Sequence, residues 1–207
     1  MLYIVTGGSG SGKSAFAEDL AVKLHNESLG GGLYYIATMH PYDEESVLRI
    51  KRHRNMRKGK GFVTIEQELF LENAMEDIMS TMEVPGTYLL EDLSNLLANE
   101  MYIGYYKELF LINEEDIRRK KPHGIVKENN KKGVEMLFKK MKSLCETAAN
   151  VVIVTNDIFS DYFDYDSETV SFMKQLAYLN CQLVKEAGGV AEVVCGIPIW
   201  QKGGKEC

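Results

Sequence analysis

The stretch Ile4-Val5-Thr6-Gly7-Gly8-Ser9-Gly10-Ser11-Gly12-Lys13-Ser14 is an apolar strand that runs into the pattern G-x-x-x-x-G-K-S. This pattern is typical of a phosphate-binding loop, in which glycine-rich backbone turns several N–H groups toward the phosphates of a nucleotide. Lys13 would neutralise the β- and γ-phosphates, and the Ser14 hydroxyl would bind Mg²⁺. A helix predicted from Lys13 to Leu24 adds its positive N-terminal dipole to the same anion site. The sequence therefore predicts a site for a nucleoside triphosphate.

Composition excludes several classes of protein. The 207 residues, 45% of them hydrophobic, are enough to bury one full α/β core, so we expect a single domain over residues 1–207. The net charge of −6 disfavours nucleic-acid binding, which normally requires a basic surface. No apolar run approaches the roughly 20 residues of a membrane span, and a core strand stands where a signal peptide would, so we expect a cytoplasmic protein. The four cysteines show no C-x-x-C spacing, which argues against a zinc site or a redox dithiol: Cys145, Cys181, Cys195 and Cys207.

Beyond the loop, apolar runs and helical periodicity alternate along the chain. Further strands are predicted at Leu33–Thr38, Phe62–Ile65, Thr87–Glu91, Val151–Thr155 and Ala191–Cys195. Further helices are predicted at Glu44–Lys58, Leu69–Met82, Leu93–Leu111, Gly133–Ala149 and Glu168–Ala187. This alternation predicts an α/β fold of the phosphate-loop class, with a mostly parallel sheet and helices on both faces. Ligands of such sheets bind at the carboxyl ends of the strands.

The polar segment 113–132 interrupts this alternation. It contains the basic run Arg118-Arg119-Lys120-Lys121 and has few apolar residues, so we interpret it as a mobile surface insertion. The basic run is more typical of a solvated surface, and a lid over phosphates is the alternative.

Two carboxylates, Glu91 and Asp92, follow the predicted strand that begins at Thr87. This is where the acidic partner of a phosphate loop is expected, and one carboxylate commonly holds Mg²⁺ there. Either residue fits, but Asp92 directly precedes a predicted helix and is well suited to cap it. We therefore favour Glu91 as the functional carboxylate and Asp92 as the cap.

The segment Arg49–Lys60 is a basic island in an acidic chain. On a helix, Arg49, His53 and Arg57 share one face at i, i+4 and i+8, so two guanidinium groups bracket the imidazole. Positive neighbours would keep His53 neutral and nucleophilic while the arginines hold phosphate oxygens. From these residues alone, an exposed basic helix with an incidental histidine is the commoner interpretation.

Several short motifs occur in a characteristic order behind the phosphate loop. They are Tyr35-Ile36-Ala37-Thr38, Arg49-Ile50-x-x-His53 followed by Arg57, Glu66 after a short strand, Leu89-Leu90-Glu91, Val154-Thr155-Asn156, and Asn180. In this order and spacing the chain resembles the bifunctional adenosylcobinamide kinase/adenosylcobinamide-phosphate guanylyltransferase family of cobalamin biosynthesis. Members use ATP or GTP to phosphorylate the hydroxyl of the cobinamide side arm, and a histidine then carries GMP from GTP to the new phosphate.

The resemblance implies roles for individual residues. His53 matches the histidine that takes GMP, with Lys13 acting on the transferred phosphoryl group. Mg²⁺ would be held by Ser14 and Glu91, and a corrinoid would be the acceptor. The resemblance also implies a homotrimer. The nucleotide-binding residues would be Gly7, Gly8, Ser9, Gly10, Ser11, Gly12, Lys13, Ser14, Ile36, Ala37, Thr38, Arg54, Arg57, Glu66 and Glu91.

The chain also departs from the family pattern. Gly10 replaces the arginine of the usual G-G-x-R-S-G-K-S loop, and Lys58 stands where the family often has proline. The segments 156–161 and 173–177 replace the family's N-E-V-G-x-G and R-D-x-x-G patterns. These differences predict a divergent member. A kinase-only relative that acts on another alcohol is the first alternative, and a nucleotide-binding regulatory module is a weaker one, since Thr155-Asn156-Asp157-Ile158 is not the N-K-x-D of GTPase switches.

Overall fold

A computed structural model of the chain describes residues 1–28, 30–69, 71, 73, 84–104, 123–160 and 164–204, with the backbone alone over 123–131. Strands and helices alternate through most of these residues. The elements in chain order are β1 Leu2–Thr6, α1 Lys13–Glu27, β2 Leu33–Ala37, α2 Glu44–Arg57, β3 Val63–Glu66, β4 Thr87–Glu91, α3 Leu93–Tyr102, α4 His123–Thr147, β5 Asn150–Val154, α5 Ser167–Glu186, β6 Gly189–Val194 and β7 Ile197–Lys202.

The seven strands of the described residues form one sheet in the order β3-β2-β4-β5-β1-β6-β7. All neighbouring strands are parallel except β6 and β7, which pair antiparallel. The predicted α/β fold with a mostly parallel sheet is therefore confirmed. The sequence analysis missed β7, an edge strand that contains Pro198 and follows a tight turn at Cys195 and Gly196, both with positive φ. Proline is tolerated on such an edge because it has no N–H to give to a ladder.

Two apolar layers cover the two faces of the sheet. On one face, Ala17, Ala21 and Leu24 of α1 pack against β-strand side chains such as Val5 and Leu89. On the other face, α3, α4 and α5 contribute buried leucines, among them Leu96, Leu137 and Leu179. Because side chains alternate along a strand, neighbouring residues of each central strand belong to opposite layers. The helices on both faces match the prediction.

Some predicted helix bounds are wrong. Helix α4 begins at His123 rather than at Gly133, so part of the segment predicted to be an insertion, 123–132, is helical instead. The remaining residues of that segment, 113–122, lie outside the described residues, as does nearly all of the helix predicted at Leu69–Met82. Helix α3 ends at Tyr102 rather than at Leu111, and residues 105–111 are again outside the described part. None of the helices in the described residues is long and apolar enough to cross a membrane.

Helix α2 differs from α1 in having almost no packed face. Its side chains are exposed or half-buried except for that of Arg57. The helix is instead favoured by local signals: Asp43 caps its N-terminus by accepting a hydrogen bond from the Ser46 N–H at 2.7 Å. Glu44 and Glu45 lie in its first turn and arginines in its last, which suits the helix dipole. This helix carries the basic island.

Candidate active site

The phosphate loop connects β1 to α1 and folds tightly against the β6–β7 turn. Gly7 has a φ of +154°, and a Cβ there would lie 2.6 Å from both the Val193 carbonyl oxygen and Ser11 Oγ. Gly12 has a φ of +90°, and a Cβ there would approach Gly196 Cα to 3.1 Å. Both positions therefore require glycine, because the conformation and the space exclude a side chain.

Lys13 is buried at the start of α1, and its ammonium group donates a hydrogen bond to the Gly8 carbonyl at 3.0 Å. Burial lowers the pKa of Lys13, while the charges of Asp92 and Glu91 act in the opposite direction. The loop thus holds its cation next to two carboxylates, at the anion-binding end of the helix.

Glu91 ends β4 on the same side of the sheet as α1. Its Oε1 accepts a hydrogen bond from the Ser14 hydroxyl, and its Oε2 is buried without a hydrogen-bond partner among the described residues. Burial raises the pKa of Glu91 to about 7, and the neighbouring charge of Asp92 raises it too, against the opposing hydrogen bonds from Ser14 and Tyr35.

These oxygens fit a magnesium ion. Mg²⁺ prefers oxygen ligands and takes only one or two protein carboxylates, with water and phosphate oxygens completing its shell. The unpartnered Oε2 of Glu91 and the adjacent Ser14 hydroxyl supply such ligands. The described residues contain no group of three or more His, Cys, Asp or Glu side chains suited to a metal.

Asp92 has the capping role predicted for it. Its Oδ1 accepts a hydrogen bond from the Asn95 N–H at 2.6 Å at the start of α3. Its Oδ2 accepts another from the Asn156 side chain at 3.1 Å, which ties the end of β4 to the segment after β5. Asp92 is therefore fully engaged in local structure.

His53 of α2 faces the Glu91 carboxylate. Its Nδ1 lies 3.8 Å from Glu91 Oε1, a contact longer than a hydrogen bond. The pKa of His53 is lowered first by burial and then by Arg57, Arg52, Arg49 and Lys13. The expectation that basic neighbours favour a neutral imidazole is confirmed, although burial has the larger effect.

The arginines around His53 have different environments. The Arg57 guanidinium is buried and stacks over the Tyr35 ring at 3.6 Å, and its Nε has no hydrogen-bond partner among the described residues. Arg54 forms an exposed ion pair with Glu66. Arg49 is exposed and pairs with Glu45 at 2.8 Å. Of these three arginines, Arg57 alone is buried.

The phosphate loop and α2 form opposite walls of one cleft of about 910 Å³ at the carboxyl ends of β2 and β4. The sequence-predicted residues that line it are Ser9, Gly10, Ser11, Gly12, Lys13, Ser14, Ala37, His53, Arg54, Arg57, Glu66 and Glu91. A phosphate-binding loop and a histidine with a lowered pKa therefore share one cavity.

Comparison with known proteins agrees with this geometry. The family model described as cobinamide kinase / cobinamide phosphate guanyltransferase matches residues 3–200, nearly the whole chain. The chain belongs to this family. Membership makes it a transferase of cobalamin biosynthesis that acts on small-molecule substrates with a nucleoside triphosphate, and it confirms the resemblance found in the motifs. No individually curated protein matches the sequence.

Solved structures similar to this family member are distant in sequence. One, an ATPase domain, aligns over 92% of this chain and 68% of its own, with 7% identity and a TM-score of 0.45. Another, a protein of Pyrococcus horikoshii OT3, aligns over 99% of this chain and 87% of its own, with 14% identity and a TM-score of 0.47.

Four residues predicted to bind nucleotide do not line the cleft of this family member: Gly7, Gly8, Ile36 and Thr38. Ile36 is fully buried in the core layer opposite α1, because its neighbours Tyr35 and Ala37 occupy the cleft side of β2. Thr38 is also buried, and its hydroxyl donates to the Asp92 carbonyl at 2.8 Å. These two side chains have structural roles here, and their binding of nucleotide stays a prediction. Gly7 and Gly8 shape the loop from outside the cavity.

Sequence reasoning missed the role of Tyr35. Its ring lies beneath Arg57 and contacts Phe62 edge-on, with ring centroids 5.8 Å apart, and it also hydrogen-bonds Glu91. Because alternate residues of a strand share a face, the sequence could have predicted that Tyr35 lies on the same side of β2 as Ala37. Its contact with Arg57 depends on how α2 is positioned, which the pattern does not reveal. Asn180, quoted as a family motif, accepts a hydrogen bond from Thr155 at 3.0 Å.

Proposed function

We propose that this chain carries out both reactions of its family, phosphorylating adenosylcobinamide with a nucleoside triphosphate and transferring GMP from GTP to the product through His53. The observation that carries the proposal is the position of His53 Nδ1, 3.8 Å from Glu91 Oε1, while the same oxygen accepts a hydrogen bond from Ser14 of the phosphate loop. A nucleotide whose phosphates occupy the loop would therefore lie within reach of the imidazole.

In the first reaction, the side-arm hydroxyl of the corrinoid attacks the γ-phosphorus of the donor. The new P–O bond forms as the bond to the β-phosphate oxygen breaks, the hydroxyl proton is released, and a nucleoside diphosphate leaves. This chemistry needs mainly positioning and charge neutralisation. The loop N–H groups and Lys13 supply both, and Ser14 and Glu91 would hold a Mg²⁺ ion that would neutralise further phosphate charge.

In the second reaction, the neutral His53 attacks the α-phosphorus of GTP. Since Nδ1 faces Glu91, we assign Nε2 as the attacking atom. An N–P bond forms and pyrophosphate leaves. The phosphate of the corrinoid then attacks the same phosphorus, the N–P bond breaks, and GDP-cobinamide is released. Covalent catalysis of this kind divides one difficult transfer into two easier ones. The lowered pKa of His53 keeps its lone pair available, and the nearby Arg57 would stabilise charge on the phosphates.

Labelling with α-³²P-GTP tests this function. We expect one acid-labile, base-stable GMP adduct per chain, lost in His53→Ala but retained in His40→Ala. His40 is a matched control because its own side chain does not line the cleft, although its partner Glu68 does. Phosphorylation of adenosylcobinamide should persist in His53→Ala. A wild-type protein that phosphorylates adenosylcobinamide without forming an adduct would instead be a kinase-only relative, and an adduct that survives in His53→Ala would exclude the assigned histidine.

A further inference from the structure

The connection between α2 and β3 fixes the helix that carries His53 to the rest of the molecule. Within α2 only Arg57 is buried, so the helix itself has little contact with the core. Lys60 follows three residues later, and its ammonium group donates hydrogen bonds to Glu18 Oε2 at 2.9 Å and to Asp19 Oδ1 at 2.8 Å. Both carboxylates belong to α1, the helix that begins in the phosphate loop.

The contact with Glu18 is made in the interior. The Glu18 side chain is fully buried, and its Oε1 has no hydrogen-bond partner among the described residues. Without Lys60, this carboxylate would lose the cation that compensates its burial, which is unfavourable for a charged group. A buried charge of this kind strongly favours a single position of the lysine, and with it of the connecting segment.

The connecting backbone offers little stiffness of its own. Gly59 and Gly61 flank Lys60, both with positive φ and with open space around the missing side chains. The Lys60 N–H donates to the Arg57 carbonyl at 3.0 Å, so the lysine is coupled directly to the last residue of α2.

We infer that Lys60 is a positioning residue for guanylyl transfer: by binding Glu18 and Asp19 of α1, it holds α2 so that His53 faces the phosphate loop. The inference rests on the proposed role of His53. Lys60 does not line the cleft, so it acts through the placement of α2 and not on the nucleotide. Small misplacements of a reacting group are costly, since about 1 Å can reduce a rate roughly 100-fold.

The test compares Lys60→Ala with Lys58→Ala, which removes the same charge from the same connection. Lys58 is exposed, and its side chain forms no ion pair with the described residues. In Lys60→Ala we expect the rate of GMP-adduct formation at saturating GTP to fall about 10- to 100-fold, with the KM for GTP and the kinase rate changed less than about twofold. Lys60→Arg should restore most of the rate, because it keeps the charge and the hydrogen bonds.

Glu18→Gln provides a second test of the positioning role of Lys60 if Lys60→Ala does not fold. It removes the buried charge while leaving Lys60 in place, and it should slow adduct formation in the same selective way. An adduct rate in Lys60→Ala or Glu18→Gln equal to that of Lys58→Ala would overturn the inference, as would equal losses of adduct formation and kinase activity. A wild-type protein that forms no adduct would instead contradict the proposed function.

Discussion

Helix α1, which begins in the phosphate loop, and helix α2 have 15 and 14 residues and both line the cleft, but they are held in different ways. Helix α1 buries Ala17, Ala21 and Leu24 against the sheet. Helix α2 buries Arg57 alone and leaves Val47 and Leu48 exposed. The phosphate loop is thus positioned by core packing, whereas the histidine depends on a cap, a stacked guanidinium and the Lys60 ion pair.

This difference has a physical consequence. A helix packed into a core is positioned by many small contacts, and no single one decides its place. A helix held by a few polar contacts can be displaced by one substitution. The position of His53 therefore depends on residues outside the cleft, such as Lys60. The position of the phosphate loop does not depend on any single residue of this kind.

The largest expected contrast compares one leucine from each helix. Leu24→Ala in α1 should lower the free energy of unfolding by about 3 kcal/mol, because it leaves a cavity in the core. Leu48→Ala in α2 should change it by less than about 0.5 kcal/mol, because the side chain is already 63% exposed. Urea denaturation measures both values. Comparable losses of unfolding free energy in the two variants would show that α2 is packed against the core in solution. The two helices would then not be held in different ways.

The next effect concerns the backbone of the phosphate loop. Gly7→Ala should cost about 2 kcal/mol, since the new methyl group meets the Val193 carbonyl and the conformation is strained. The cost should appear as lower stability or as weaker nucleotide binding, measured by thermal denaturation with and without GTP.

Gly8→Ala is the matched control, because a Cβ at Gly8 has nothing within 4 Å. Its stability and GTP affinity should stay close to those of the native protein. If Gly8→Ala is as damaging as Gly7→Ala, the sensitivity comes from the loop as a whole and not from the close contact at Gly7.

A smaller effect is expected where α2 meets the sheet. Tyr35→Leu removes the ring beneath Arg57 and should cost about 1 kcal/mol, typical of a cation–π contact. The rate of adduct formation should fall by roughly fivefold, which corresponds to that energy. Tyr35→Phe keeps the ring and should retain most of the rate. Equal losses in the two variants would assign the effect to the Tyr35 hydroxyl and its hydrogen bond to Glu91 instead.

Sequence patterns predicted the loop, the location of the cleft at the carboxyl ends of the strands, and the capping role of Asp92. These features are encoded locally, by glycine spacing, by an apolar strand and by a capping position. Ile36 lies outside the cleft because side chains alternate between the two faces of β2. This alternation can be inferred from the sequence, but a motif match does not take it into account. The contacts of Tyr35 with Arg57 and of Lys60 with Glu18 join residues from separate elements, so they follow only from the tertiary placement of α2.

The smallest expected effect separates the exposed contacts of α2 from its buried ones. Arg54 and Glu66 form an ion pair, but both side chains are 54% exposed. A double-mutant cycle with Arg54→Ala and Glu66→Ala should therefore give a coupling energy below about 1 kcal/mol, and added salt should reduce it further. A coupling well above that value, insensitive to salt, would mean that this pair also fixes α2 to β3. The helix would then have a further strong attachment, and the dependence of His53 on Lys60 should weaken accordingly.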